Sequence, residues 1–197
     1  MSEDKTYLVN EGASIADPGP LGLACFALTT FCLSVVNAGI VDARVEGMVL
    51  MLALAYGGSA QILAGMWEFK KNNVFGAVAF TSYGAFWLSF AFYVTAASHG
   101  WIEATASGTA LFLLAWTIFT AYMWIASFAL NNALVTVFTL LEITFILLFI
   151  GALGSASAHM IAGYFGLATA FAAWYTSAAG IMNTVYKRKV LPVGPRQ

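Results

Sequence analysis

Two side chains in this sequence hold polar groups where such groups are costly to keep. Glu142 stands in the run TVFTLLEITFILLF and Gln61 in the run LALAYGGSAQILAGMW, each with mostly apolar neighbours. At the centre of a membrane span a charged side chain costs roughly 2.5 to 3.5 kcal/mol on insertion scales, so such residues are usually paired or functional. Glu142 therefore reads either as a neutral carboxyl bonded to a facing Thr or Gln, or as a proton carrier, and the sequence leaves both open. Gln61 must be paired or wet. Helical offsets of about 4, 7 and 11 residues return to nearly one side. On that spacing Phe26, Thr30, Leu33 and Asn37 share a face, Gly57, Gln61 and Gly65 a second, and Gly76, Phe80, Tyr83 and Trp87 a third. Phe138, Glu142, Phe145 and Phe149 make a fourth. Aromatic stripes of this kind serve either as packing or as pore lining.

Catalytic groups are scarce. His99 and His159 fall at loop ends, where they are ordinary interfacial polar residues or a pair that senses external pH, and no HExxH, GxSxG or Walker-type run is present. Cys25 and Cys32 are seven residues apart, roughly 10.5 Å along a helix, too far for a disulfide, and no further Cys or His completes a metal site. The chain is therefore expected to be no enzyme and to need no metal or cofactor.

The elements that position these residues follow from composition. Hydrophobic residues make up 61% of the chain and charged residues 9%, against about 25% charged in a soluble domain. Mean hydropathy is +0.83. Eight basic and nine acidic side chains could not give one soluble core an ordinary surface. The expected fold is an all-α membrane protein with six transmembrane helices, near 21–41, 47–67, 74–97, 108–128, 134–154 and 160–186. The connections DARVE, EFKKNN, SHGWIEATAS, ALNNA and SASAH leave no room for a second domain. Lys5, Lys70, Lys71, Lys187, Arg188, Lys189 and Arg196 then share one side and Arg44 alone the other, which places both termini in the cytoplasm of a multi-pass cell-membrane protein. MSEDKTYLVNEGAS lacks the basic and apolar regions of a signal peptide, so the first helix is expected to do the targeting. A net charge of -1 argues against nucleic acid as a partner and leaves membrane lipid.

The polar start gives way to apolar sequence at DPGPLGLACF, 17–26. Asp17 can accept from the free amides of a helix start, and Pro18 and Pro20 fix φ without needing an amide hydrogen, so a helix should begin between Pro18 and Leu21. The organisation is a tail over 1–20, a transport domain over 21–186 and a second tail over 187–197.

DPGPLGL (Asp17, Pro18, Gly19, Pro20, Leu21, Gly22 and Leu23), the long block YGGSAQILAGMWEFKKNNVFGAVAFTSYGAFW and LPVG in the tail resemble the acetate uptake transporter family, the succinate-acetate permeases. The resemblance covers nearly the whole chain. It implies a homo-hexamer with a pathway through each subunit for acetate or another small carboxylate, succinate in some members, as a proton-coupled symporter or an anion channel. It also implies a constriction of a Phe, a Tyr and a Leu, which fall here at Phe26, Tyr83 and Leu141. The family's motif usually opens Asn-Pro-Ala-Pro or Asn-Pro-Val-Pro, so Asp17 puts a negative charge near a mouth for anions. Hydroxyls of Thr30, Thr81, Ser82 and Tyr83 and amides of Asn37 and Gln61 are the donors expected along the pathway, with Trp87 beside them and Glu142 as the candidate proton relay. The competing readings are a six-helix channel for a neutral solute such as urea or ammonia, and a membrane sensor that transports nothing.

Overall fold

The structure, a computed structural model, describes residues 15–196. Most of the expected first tail, with Lys5 and MSEDKTYLVNEGAS, lies outside the described residues. Within them the chain makes six apolar helical crossings. The first is α1, Gly19–Asn37. The second is composite: a 3₁₀ turn at Ala43–Val45, α2 at Glu46–Leu54, a π turn at Ala55–Ala60 and α3 at Gln61–Lys70. The remaining four are α4 (Val74–Ser98), α5 (Ala106–Ser127), α6 (Asn132–Ala152) and α7 (Ala156–Val185).

Local chemistry sets these boundaries. Asp17 Oδ1 accepts from Gly19 N at 3.1 Å, as the sequence anticipates. Asn73, Thr105, Asn131 and Ser155 cap α4, α5, α6 and α7 through side-chain oxygens, each satisfying an amide that the helix leaves free. The first crossing stops at Asn37, short of the expected 41, because Gly39 takes a left-handed φ of 70°. Gly39 N then bonds Val36 O and Ile40 N bonds Val35 O, a closed helix end that needs glycine at that position.

The second crossing departs furthest from expectation. It is longer than the continuous helix read over 47–67, and its middle is a π turn. Ser59 Oγ donates to Leu54 O, five residues back, at 2.8 Å. Gly57 and Gly58 let neighbours come close: a Cβ on Gly57 would stand 2.6 Å from Thr29 Oγ1, and one on Gly58 would stand 2.5 Å from Leu88 Cδ2.

In lipid, helices gain little from hiding apolar surface, so small residues at close crossings hold them together. α1 packs chiefly on α7, α7 on α6, α6 on α5, and α3 on α4. Gly22 seats the Phe80 ring, Gly65 seats Thr81, Gly163 meets the backbone at Asn37 and Ala38, and Gly180 meets Pro20. Large apolar side chains such as Leu63, Leu111, Ile118, Ile125 and Phe171 point outward.

Six crossings bring both described ends to one face, here called the terminal face. After α7 the chain doubles back across it. Asn183 Oδ1 accepts from Val190 N and Leu191 N, Tyr175 donates to Pro192 O, and Arg196 Nε donates to Asn132 Oδ1 at 2.6 Å. The expected second tail is thus a strap bound to α6 and α7. At the opposite face Arg44, the one Lys or Arg there among the described residues, is paired with Asp42 at 2.7 Å. Its hydrogen bonds hold the Asp42 carboxyl below the usual carboxylate range. Excess positive charge among the described residues therefore sits on the terminal face.

Candidate functional site: a cavity closed by an aromatic ring

A cavity of about 420 Å³ opens between α1, α3, α4, α6 and α7. Its mouth is made by element ends on the terminal face: Asp17 and Gly19 of the first crossing, Glu68 near the end of α3, Asn73 before α4, Asn131 before α6, and Asn183 with Val193 of the strap. Phe26, Gln61, Tyr83 and Leu141 line it deeper. Each lies seven to nine residues inside its own helix end, roughly 10 to 14 Å at 1.5 Å per residue, so the four form one layer.

That layer is tight. Phe26, Tyr83 and Leu141 are 6%, 3% and 4% exposed. The Phe26 and Tyr83 ring centroids are 5.8 Å apart, and Phe138 stands 6.2 Å from Tyr83. The Tyr83 hydroxyl is bonded to Thr120 Oγ1 of α5 at 2.9 Å, and Phe119 meets its ring edge-on at 5.2 Å. These contacts fix the tyrosine from behind. Gln61 supplies the layer's free polarity: it is fully buried, and among the described residues neither its amide oxygen nor its amide nitrogen has a hydrogen-bond partner. Its two polar atoms are left for water or a solute in the cavity. It can both donate and accept.

Of the residues singled out in the sequence, the cavity brings together Phe26, Gln61, Tyr83 and Leu141 with Asp17, Gly19 and Pro20. Pro18 is buried beside the mouth, Leu21 is exposed, and Gly22 packs on Phe80. Six others do not line the cavity. Thr30 and Trp87, one turn beyond Phe26 and Tyr83, are buried with an unpartnered Oγ1 and Nε1. The Trp87 ring packs on Phe86 and Phe90. Thr81 is turned to Gly65 at the α3–α4 crossing. Ser82 and Asn37 are half-buried, Asn37 ending α1 at the far face. Glu142 is half-buried with Oε2 unpartnered.

The charge of Asp17 at the mouth is met by Lys71, whose Nζ donates to Asp17 Oδ1 at 3.0 Å. A pair this exposed contributes under about 1 kcal/mol, yet it leaves the mouth with no net charge from Asp17. Sequence reading missed Glu68, which lines the cavity at 1% exposure. The sequence puts it in the loop EFKKNN, because the apolar run stops at 67; α3 in fact runs on to Lys70. The missed signal was the spacing Gly57, Gln61, Gly65, which one more step extends to Glu68.

Known proteins share this sequence and fold. A profile of the GPR1/FUN34/yaaH family matches residues 4–195. Acetate permease A of Emericella nidulans is 39% identical over 204 residues, covering 95% of this chain and 68% of the permease. The succinate-acetate/proton symporter SatP of Escherichia coli K12 is 37% identical, covering 91% of this chain and 96% of the symporter. A solved structure of the bacterial acetate channel SatP superposes with a TM-score of 0.87 at 37% identity, covering 91% of this chain and 99% of that one. Sequence, fold and extent agree: the chain belongs to the GPR1/FUN34/yaaH family.

Proposed function

We propose that this protein carries acetate and related small carboxylates, succinate among them, across the cell membrane through the cavity and past Phe26, Tyr83 and Leu141. The observation that carries this reading is Gln61, an unpartnered amide held at the depth of a hydrophobic ring. A carboxylate entering a dry passage must exchange water for donors. The Gln61 nitrogen is one such donor, and its oxygen can accept from the protonated acid. Thr30 Oγ1 and Trp87 Nε1, one turn further in, continue the series. Among the described residues no Lys or Arg lines the cavity, which favours weak binding and quick release over capture.

The terminal face, with Lys70, Lys71, Lys187, Arg188, Lys189 and Arg196, is the cytoplasmic side under the positive-inside rule. The resemblance to hexameric permeases and the broad outward apolar surface of α5 together support a homo-hexamer, with the remaining outer surface facing lipid.

The ring is tested by Phe26→Ala and Leu141→Ala in proteoliposomes. Each variant is expected to raise labelled acetate uptake and to admit a bulkier carboxylate such as benzoate more readily than the parent does. Unchanged flux and selectivity in both variants would remove these residues from the gate. Uptake that excess urea or ammonium competes away, and that excess acetate does not, would overturn the carboxylate reading itself.

A further inference from the structure

Glu68 is the carboxyl that the cavity builds into its wall. Asn73 Nδ2 donates to Glu68 Oε2 at 2.8 Å, while Asn73 Oδ1 accepts from Gly76 N at 3.2 Å. The residue that starts α4 therefore also clamps Glu68. Two glycines complete the slot. A Cβ on Gly76 would stand 2.7 Å from Glu68 Cδ and 2.9 Å from Oε1, and one on Gly19 would stand 3.4 Å from Oε1.

Among the described residues the charges around this carboxyl are few. Asp17, before α1, and Lys71, just past the end of α3, act on it, and those two are bonded to each other. Lys70 is the other charged residue beside it on α3. The neighbouring wall residues from α4, α6 and α7 (Phe75, Phe138, Thr176 and Asn183) are neutral. Among the described residues the wall thus holds two carboxylates, one already paired, and no cation. An entering carboxylate anion becomes a second unpaired carboxylate beside Glu68. Two like charges brought together at a buried side chain resist ionising together, and one shared proton relieves them.

We propose that Glu68 is the proton-accepting group of the pathway, sharing one proton with each carboxylate that passes the mouth. This rests on the transport reading above and moves the relay from Glu142 to a residue that faces the cavity. On inward transport the neutral acid crosses the ring and its O–H proton passes to a Glu68 oxygen. The substrate leaves as the anion, and Glu68 then gives the proton to water at the mouth. Only O–H bonds form and break, and each step reverses for export.

The test uses proteoliposomes and labelled acetate, comparing uptake driven by an inward proton gradient with acetate–acetate exchange at equal pH. In the parent, and in Glu142→Gln, gradient-driven uptake exceeds exchange. In Glu68→Gln exchange remains measurable, and the ratio of the two falls about tenfold or more, as loss of a positioned proton acceptor requires; Glu68→Asp restores part of it. A parental ratio in Glu68→Gln, or the same loss in Glu142→Gln alone, overturns the proposal. Should Glu68→Gln fail to assemble, a hydrophobic carbodiimide, to which protonated carboxyls add, decides on the parent. Adduct on Glu68 that saturating acetate slows supports the assignment; adduct confined elsewhere, unslowed adduct or untouched uptake overturns it. A parent that moves no acetate in either mode fails the transport reading instead.

Discussion

Replacing Gln61 by leucine is expected to lower acetate uptake roughly ten- to a hundredfold while leaving the protein folded and no less stable. The two halves of that result have one cause. In the parent the amide is fully buried, faces the cavity and has no protein partner. It therefore contributes no internal hydrogen bond that leucine removes. Leucine is of similar size and leaves no buried donor or acceptor unmet. The passing carboxylate loses instead. A hydrogen bond to a charged group is worth about 1.5 to 3 kcal/mol, and each 1.4 kcal/mol is a factor of about ten. Thermal melting in detergent and labelled uptake in liposomes read the two halves separately. A variant that melts well below the parent shows Gln61 to be structural, and parental uptake removes it from the pathway.

Gly163→Val is expected to have the largest effect on folding. Gly163 sits where α7 crosses the end of α1, and a Cβ there would overlap Ala38 N and stand 2.7 Å from Ala38 Cα and from Asn37 C. These are backbone atoms, which cannot swing aside as a side chain does. Overpacking of this kind costs about 1 to 3 kcal/mol or more, and valine adds two methyl groups to the first clash. Melting should fall by roughly 2 to 12 °C, at about 2 to 4 °C per kcal/mol for a chain of this size. Gly47→Ala is the matched control: Gly47 lies in α2 with nothing within 4 Å of an added Cβ, so alanine should gain up to about 1 kcal/mol of helix propensity. Equal melting of the two variants would mean that the α1–α7 crossing yields more easily than its geometry implies.

What the sequence revealed and what it concealed divide along a physical line. Hydropathy located all six crossings because lipid imposes one length and one polarity on each. Phe26, Tyr83 and Leu141 came from resemblance, and the first two also from faces drawn at helical spacing. Gln61 stood out because an amide among alkyl groups is costly wherever it sits. Glu68 escaped because it lies near a helix end, where a charged residue next to Lys70 and Lys71 looks like solvated loop. Thr81 misled for the opposite reason: its hydroxyl fits a pathway donor, but only three-dimensional packing shows that Gly65 receives it. The strap was equally hidden, since bonds from Asn183, Tyr175 and Asn132 to distant backbone leave no local pattern.

The π turn at Ala55–Ala60 has a consequence for phase. An α-helix advances about 100° per residue, and a π turn winds in one residue more than regular geometry would take. Everything after it is rotated by that surplus relative to α2. Gln61 and Glu68 follow the turn on one face, so they move together, and the two halves of this crossing can be tuned independently. α2 can suit its neighbours at the far face while α3 keeps both polar groups aimed at the solute. Loss of a single residue between Ala55 and Ala60 would swing amide and carboxyl away together and present alkyl groups in their place. Here the solute's surroundings depend on the count of residues in a stretch that never touches it.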